Sequence, residues 1–350
     1  MYPSRKSLAF MRWGLAGGVI ISSLIWAIIL IHDAHVSMFD SCVQGTFDSP
    51  MHSNCSKNPT SHIQAWAGFD ARDYCSSAST GADYPLFDEW ISCPQLAKVQ
   101  IDGNIILTSV NCGYVEFAIN FWNAYQKLGY SNVIVISSDC ATYTALVSLI
   151  GYDHVAKPLF PPATRVAQSF DSLDWGKIVT RRPVYMKYVL QAGYNVLWQD
   201  ADSVPIKDVL QVLPPSLPMQ FDVILTNDSL VGHPEQLCSC FLYMMHNRTG
   251  SHWLLDRWKL HVQGSGHDQP ALNHALEDAL NVTEYGSAEF EHMVLPQRMF
   301  PNGAQWDSYN HTAFWGHANF RVGKDAKLEF MKTRNLWSVP PEMIEKEACK

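Results

Sequence analysis

The sequence predicts an α/β domain on a mostly parallel, Rossmann-like sheet, set behind one N-terminal transmembrane helix. Three observations lead there. From Asn104 onward strand-like and helix-like segments alternate, the strands are short apolar runs suited to burial on both faces, and Trp13 to Ile31 carries no charge.

The uncharged run is about 19 residues, enough for a helix to cross a bilayer core. Arg5, Lys6 and Arg12 precede it and Asp33 follows, so the positive-inside bias leaves the first dozen residues in the cytosol and the rest in a lumen or outside. A cleaved signal peptide has a shorter apolar region and a small-x-small site, and no such site follows Ile31. The expected plan is therefore a cytosolic tail 1–12, a signal-anchor 13–31, a cysteine-bearing stem 32–99, a main domain 100–340 and a tail 341–350. Nine cysteines and sequons at Asn54, Asn227, Asn247, Asn281 and Asn310 agree with an oxidising lumen. The short anchor favours Golgi or ER membranes over a thicker plasma membrane. A net charge of −8 without a basic block argues against nucleic acid as a partner.

Within the main domain, strands are expected at Ile105 to Ser109 and Val133 to Ser137, with helices at Tyr114 to Leu128 and Ala141 to Ile150. A Pro-rich loop follows over Pro158 to Trp175, then a helix Val184 to Ala192 that ends at Gly193. Asn195 to Gln199 is a buried strand because Val196, Leu197 and Trp198 are apolar in succession. Phe221 to Thr226 and Phe241 to Met245 read as strands, and His252 to His261 and Asp268 to Leu280 as helices.

The strand at Asn195 to Gln199 runs into Asp200-Ala201-Asp202, so two carboxylates stand at its C-terminal edge. Ligands of open α/β sheets bind at that edge, and hard oxygen donors suit Mg²⁺ or Mn²⁺ carrying phosphates. Two chemistries fit: a metal bridge to a nucleotide diphosphate, or an aspartyl-phosphate phosphatase whose first Asp is the nucleophile. Such a phosphatase opens its domain with this strand and needs a later acidic pair. Here several elements come first and no GDxxxD pair follows, which favours a transferase.

An ordered set of segments carries a resemblance: NIILTSVNCGYVEFAINF from Asn104, VIVISSD ending at Asp139, GYNVLWQDADSVPIKD, HDQPALNHAL at His267 to Leu276, and HANFRVGKDAKLEFMKTRNLW at His317 to Trp337. The chain resembles the nucleotide-diphospho-sugar transferases of plants and algae, glycosyltransferase family 77, from about Asn104 to Trp337. That resemblance implies a GT-A fold, a retaining transfer, a UDP-linked sugar donor (pentose or hexose), Mn²⁺ or Mg²⁺, and a glycan or glycoprotein acceptor. With the anchor it implies a Golgi type II membrane protein.

The resemblance also implies roles. Asp202 holds the metal directly, Asp200 meets the ribose or holds the metal through water, and His317 completes the site; imidazole suits Mn²⁺ better than Mg²⁺. Lys327 matches the family's lysine at the departing diphosphate, with Lys324 as an additional candidate. Asp268 and Gln269 stand beside the transferred sugar, although Asp268 also suits a helix N-cap. Thr108, Asn111 and Asp139, at strand ends, are candidates for the base and ribose, and Lys187 for the donor or the Asp200/Asp202 pair. The chain departs from the family pattern at Cys238-Ser239-Cys240-Phe241, where an Asn and a Gly are usual. Two cysteines two apart have the wrong spacing for a CxxC redox or zinc site, which leaves them for disulfides with other cysteines. The rival expectation is a non-catalytic carbohydrate-binding or scaffolding protein on the same fold.

Overall fold

A computed structural model describes residues 91–158, 166–168, 172–211, 213, 220–230, 233, 235–281, 290–340 and 343. The expected tail 1–12, anchor 13–31 and the stem as far as residue 90 lie outside these residues. The described residues belong to one compact unit. Among them no helix is long and apolar enough to cross a membrane.

Nine strands and nine α-helices are described. In chain order they are α1 (Cys93–Val99), β1 (Asn104–Val110), α2 (Val115–Lys127), β2 (Val133–Ser137), α3 (Cys140–Ile150), β3 (Val155–Ala156), α4 (Leu173–Val179), α5 (Arg182–Gln191), β4 (Asn195–Gln199), β5 (Ser203–Pro205), β6 (Val223–Asn227), β7 (Leu237–Met244), α6 (Thr249–Ser265), α7 (Asp268–Asn281), β8 (His292–Leu295), α8 (Trp306–Tyr309), β9 (Trp315–His317) and α9 (Lys324–Thr333). Seven strands form one sheet in the order β3-β2-β1-β4-β7-β6-β8. Only the pairings of β7, with β4 and with β6, are antiparallel. The architecture is mixed α/β with a mostly parallel sheet.

The apolar runs form strands because each has a core on both sides. In β1, Ile106 and Val110 join one buried cluster while Ile105 and Leu107 join the other; in β4, Leu197 faces the first and Val196 and Trp198 the second. Each such side chain removed from water stabilises the fold by roughly 1.5–3 kcal/mol. Gly193, at φ 89°, lets the chain turn from α5 into β4 in a conformation that a side chain would strain.

Three differences from the sequence expectation have physical causes. Residues 93–99, expected at the end of the stem, form α1 of the folded unit: Leu96 and Val99 are buried, and Gln95 donates to the carbonyls of Tyr152, Asp153 and Val155. The stretch expected as a Pro-rich loop, of which 159–165 and 169–171 lie outside the described residues, ends inside α4, which is capped by the Ser172 hydroxyl accepting from the Trp175 N–H. A second small sheet, β5 with β9, pairs Ser203 with His317 across more than a hundred residues.

Candidate active site

β4 stops where Asp200 begins a turn. The Asp200 N–H donates to the Cys240 carbonyl on β7, and the Asp200 carbonyl accepts from the N–H and hydroxyl of Ser203. That turn starts β5, whose pairing with β9 brings His317 beside the carboxylates; the Ala318 N–H closes the contact on the Asp202 carbonyl at 2.9 Å. Gly303 supports β9 from behind, since a Cβ there would lie 2.2 Å from the Asn319 carbonyl and 2.8 Å from that of His317.

Each carboxylate divides its oxygens between two neighbours. Asp200 Oδ1 takes Arg182 at 2.8 Å, while its Oδ2 faces His317 Nε2 at 3.9 Å. Asp202 Oδ2 takes Lys327 at 2.6 Å, while its Oδ1 faces His317 Nε2 at 3.4 Å. The oxygens left over by the two cations converge on one imidazole nitrogen. Asp200, Asp202 and His317 form a group able to hold a metal, with donor atoms within 4.8 Å of one another. Two carboxylate oxygens and an imidazole suit Mn²⁺, so the residues fit the metal that the resemblance implies.

Arg182 extends the network. Its guanidinium, 5.5 Å from the Trp198 ring centroid, reaches Asp268 Oδ2 at 2.5 Å and the Ser239 hydroxyl at 2.9 Å, and that hydroxyl donates to Asp268 at 2.6 Å. Gln269 donates to Asp228, which also accepts from Asn319. These groups line one cavity of about 630 Å³, the size of a small-molecule site. Asp200, Asp202, Asp228 and Asp268 line it with Arg182, Arg321 and Lys327, so its carboxylates outnumber its permanent cations.

Burial and these pairs set the protonation states. Burial pushes the Asp200 carboxyl up, against the pull of Arg182. Burial acts the same way on Asp202, but Lys327 and then His317 outweigh it and hold that carboxyl well below the usual range. Lys327 rises despite its burial because Asp202 faces it, and Asp228 rises chiefly from burial.

Several expected site residues stand elsewhere. Lys187 is corrected: it lies on the face of α5 that meets α6 and pairs with Asp256. Lys324 bonds Glu116 at 2.7 Å and is not among the cavity-lining residues. Asp139 caps α3 through the Thr142 N–H and hydroxyl, and Thr108 is buried within β1 just before the cavity wall. Asn111 does line the cavity, with its amide donating to the Val166 carbonyl. Asp268 is the first residue of α7, and its carboxylate is taken by Arg182 and Ser239. Cys238 and Cys240 are joined to each other.

Sequence reasoning missed Arg182, Ser239, Asp228 and Asn319. A signal existed for Arg182: it is the first residue of α5, where a cation works against the helix dipole and needs an acidic partner elsewhere.

The model of one family, described as nucleotide-diphospho-sugar transferase, matches residues 128–331. This chain is similar to the UDP-D-xylose:L-fucose alpha-1,3-D-xylosyltransferase of Arabidopsis thaliana, 27% identical over 310 residues that span 78% of this chain and 79% of the relative. It is also 27% identical to the UDP-D-xylose:L-fucose alpha-1,3-D-xylosyltransferase MGP4 of the same plant, over 75% of this chain and 78% of that one. Among solved structures, the galactosyltransferase LgtC in complex with donor and acceptor sugar analogs aligns over 70% of this chain and 100% of its own, at 11% identity and a TM-score of 0.40.

Proposed function

This chain belongs to the nucleotide-diphospho-sugar transferase family and is a glycosyltransferase, and from that premise we propose that it moves xylose from UDP-xylose to a glycan hydroxyl in a metal-dependent, retaining reaction. The observation that carries the metal dependence is the convergence of Asp200 Oδ2, Asp202 Oδ1 and His317 Nε2 at the cavity wall. The names of the Arabidopsis relatives support xylose as donor sugar, L-fucose as the first acceptor to try, and an α-linked product.

In this reading Asp200, Asp202 and His317 hold Mn²⁺. When bound, the cation supplies positive charge against the diphosphate that accumulates as the sugar leaves. Lys327 works on the same charge from the other side of Asp202, and its raised pKa keeps it cationic at neutral pH. Arg182 ties Asp200 to Asp268, so the metal end and the Asp268 end of the cavity keep a fixed spacing. Asp268, positioned by Arg182 and Ser239, and Gln269, held by Asp228, are assigned to the sugar hydroxyls. With retention, the acceptor hydroxyl is assigned to the face from which UDP departs, and its proton to a phosphate oxygen.

The same proposal includes a Golgi location as a type II membrane protein. It is supported by the uncharged run Trp13 to Ile31 with Arg5, Lys6 and Arg12 before it. The test is UDP-sugar turnover by the purified protein across a panel of nucleotide sugars, with and without Mn²⁺. UDP-xylose should be hydrolysed fastest, with methyl α-L-fucoside accelerating its consumption, and chelation should stop both. Turnover unaffected by chelation overturns the metal assignment; preference for a hexose donor overturns the xylose assignment.

A further inference from the structure

We propose that Cys238, Cys240 and His317 form a latent site for a soft divalent cation such as Zn²⁺, closed while the two sulfurs are joined and opened when a dithiol reduces them. β7 bulges where they stand. Leu225 on β6 is opposite Leu242, but the next residue, Thr226, is opposite Cys238, so Ser239, Cys240 and Phe241 have no counterpart on β6. The Cα atoms of Cys238 and Cys240 stand 5.1 Å apart there, and residues two apart on a strand project to the same side.

His317 supplies the third donor. All three residues are buried, both cysteines line the cavity, and the three donor atoms lie within 4.8 Å of one another. Among the described residues, His317 Nδ1 is buried without a hydrogen-bond partner. Tetrahedral Zn²⁺ with bonds of about 2.3 Å to sulfur sets its two sulfurs about 3.8 Å apart, inside the span of this cluster. The spacing of the two cysteines excludes a CxxC site, yet the bulge and the β5–β9 pairing supply what the spacing lacks.

The steps balance. A dithiol gives two electrons and two protons to the Cys238–Cys240 bond, which opens to two thiols while the reductant closes to a disulfide. Zn²⁺ then displaces one proton from each thiol and takes the imidazole lone pair, with a water in the fourth position. A neutral imidazole has one lone pair to give, so His317 serves either this site or the Asp200/Asp202 site. Reduction in the presence of Zn²⁺ therefore withdraws His317 from the carboxylates and switches the transferase off. That consequence rests on the proposed function; the binding itself does not.

The test uses the full chain, reduced with a phosphine and titrated anaerobically with Co²⁺ as the probe. Reduced protein should gain a thiolate-to-Co²⁺ charge-transfer band that Zn²⁺ abolishes, and the oxidised protein should show none. Because other cysteines are reduced as well, the C238S/C240S variant is the comparison: it should lose the band. A band absent from reduced protein, or undiminished in that variant, overturns the proposal. A second measurement needs no variant. Zn²⁺ should protect Cys238 and Cys240 of the reduced chain from alkylation, read peptide by peptide by mass spectrometry, and equal alkylation with and without Zn²⁺ overturns it. Thiolate binding of Co²⁺ in a protein without Mn²⁺-dependent UDP binding would keep the latent site and sink the proposed function; the reverse result would sink the latent site alone.

Discussion

Replacing Arg182 with Met removes a guanidinium that touches Asp200, Asp268 and Ser239 at once, while keeping a chain long enough to cover Trp198. The Arg182 side chain is 11% exposed and that of Asp268 4%, so solvent does little to replace the lost charge. Removing one partner of a buried ion pair costs about 3–5 kcal/mol, because the other charge is left uncompensated. Two carboxylates are stranded here, but Asp200 already titrates above its ordinary range and can shed its charge by taking a proton, so about 3 kcal/mol is expected at neutral pH. The sign with pH follows. Without Arg182 the folded-state pKa of Asp200 rises further above its unfolded value, the folded state binds the extra proton, and the variant recovers stability as pH falls through that raised pKa. Urea denaturation of both proteins at about pH 7 and about pH 5 should give a difference that shrinks by roughly 1 kcal/mol or more at the lower pH. A loss below about 1 kcal/mol, or one that ignores pH, would mean that Arg182 is not the counter-ion of these carboxylates.

Lys187→Met should leave UDP affinity unchanged and cost less than about 1 kcal/mol, since its partner Asp256 has a half-exposed side chain; isothermal titration with UDP and Mn²⁺ checks this, and weakened binding would return Lys187 to the site. Asp202→Ala should abolish Mn²⁺-dependent UDP binding with the far-ultraviolet circular dichroism retained, and unchanged metal dependence would remove Asp202 from the ligand set. Because the Asp202 pKa is lowered in the folded state, its contribution to stability is present above the ordinary carboxylate pKa of about 4 and is lost as pH falls below it. Lys327→Met should flatten that acid-side loss in metal-free buffer, and an unaltered slope would assign the lowered pKa to another group. Phe320 sits at φ 58° with its ring partly exposed at the cavity mouth; Phe320→Gly should gain about 0.5 kcal/mol, as about 1–2 kcal/mol of left-handed strain is relieved against glycine's greater unfolded-state entropy. A shift of the denaturation midpoint to lower urea would show that the ring's packing outweighs the strain.

What could be read from sequence was what is local. β2 and β4 have the bounds expected of them, because an apolar run between turn residues leaves few alternatives once both faces are buried. β5 and β9, three residues each, are too short for any period, and they form only because the rest of the domain brings Ser203 opposite His317. Hence the ordered segments of the resemblance could name His317, whereas neither spacing nor composition joins it to Asp202. The same limit explains Lys187 and Arg182. Both lie on α5, and choosing between them needs the facing of that helix, whose weak amphipathic pattern gives no guide. The seven-stranded order was equally beyond reach, because β7 enters antiparallel between β4 and β6, a choice made by tertiary packing.

The division of oxygens at Asp200 and Asp202 gives the one-residue spacing of the pair a physical meaning. The first Asp continues from a strand and is tied to Arg182 on one side; the second stands within the turn and is tied to Lys327 on the other. Both leave an oxygen toward His317 Nε2. A pair of carboxylates this close in a buried wall repels itself, and the two side-chain cations offset that repulsion before any metal arrives. The pull is unequal: Lys327 and His317 outweigh burial at Asp202, while burial outweighs Arg182 at Asp200. Asp202 is therefore the carboxylate that stays ionised over the wider pH range, and Asp200 is the one whose proton a metal must displace as pH falls. Metal binding that weakens on acidification while Asp202 remains charged would follow from that inequality.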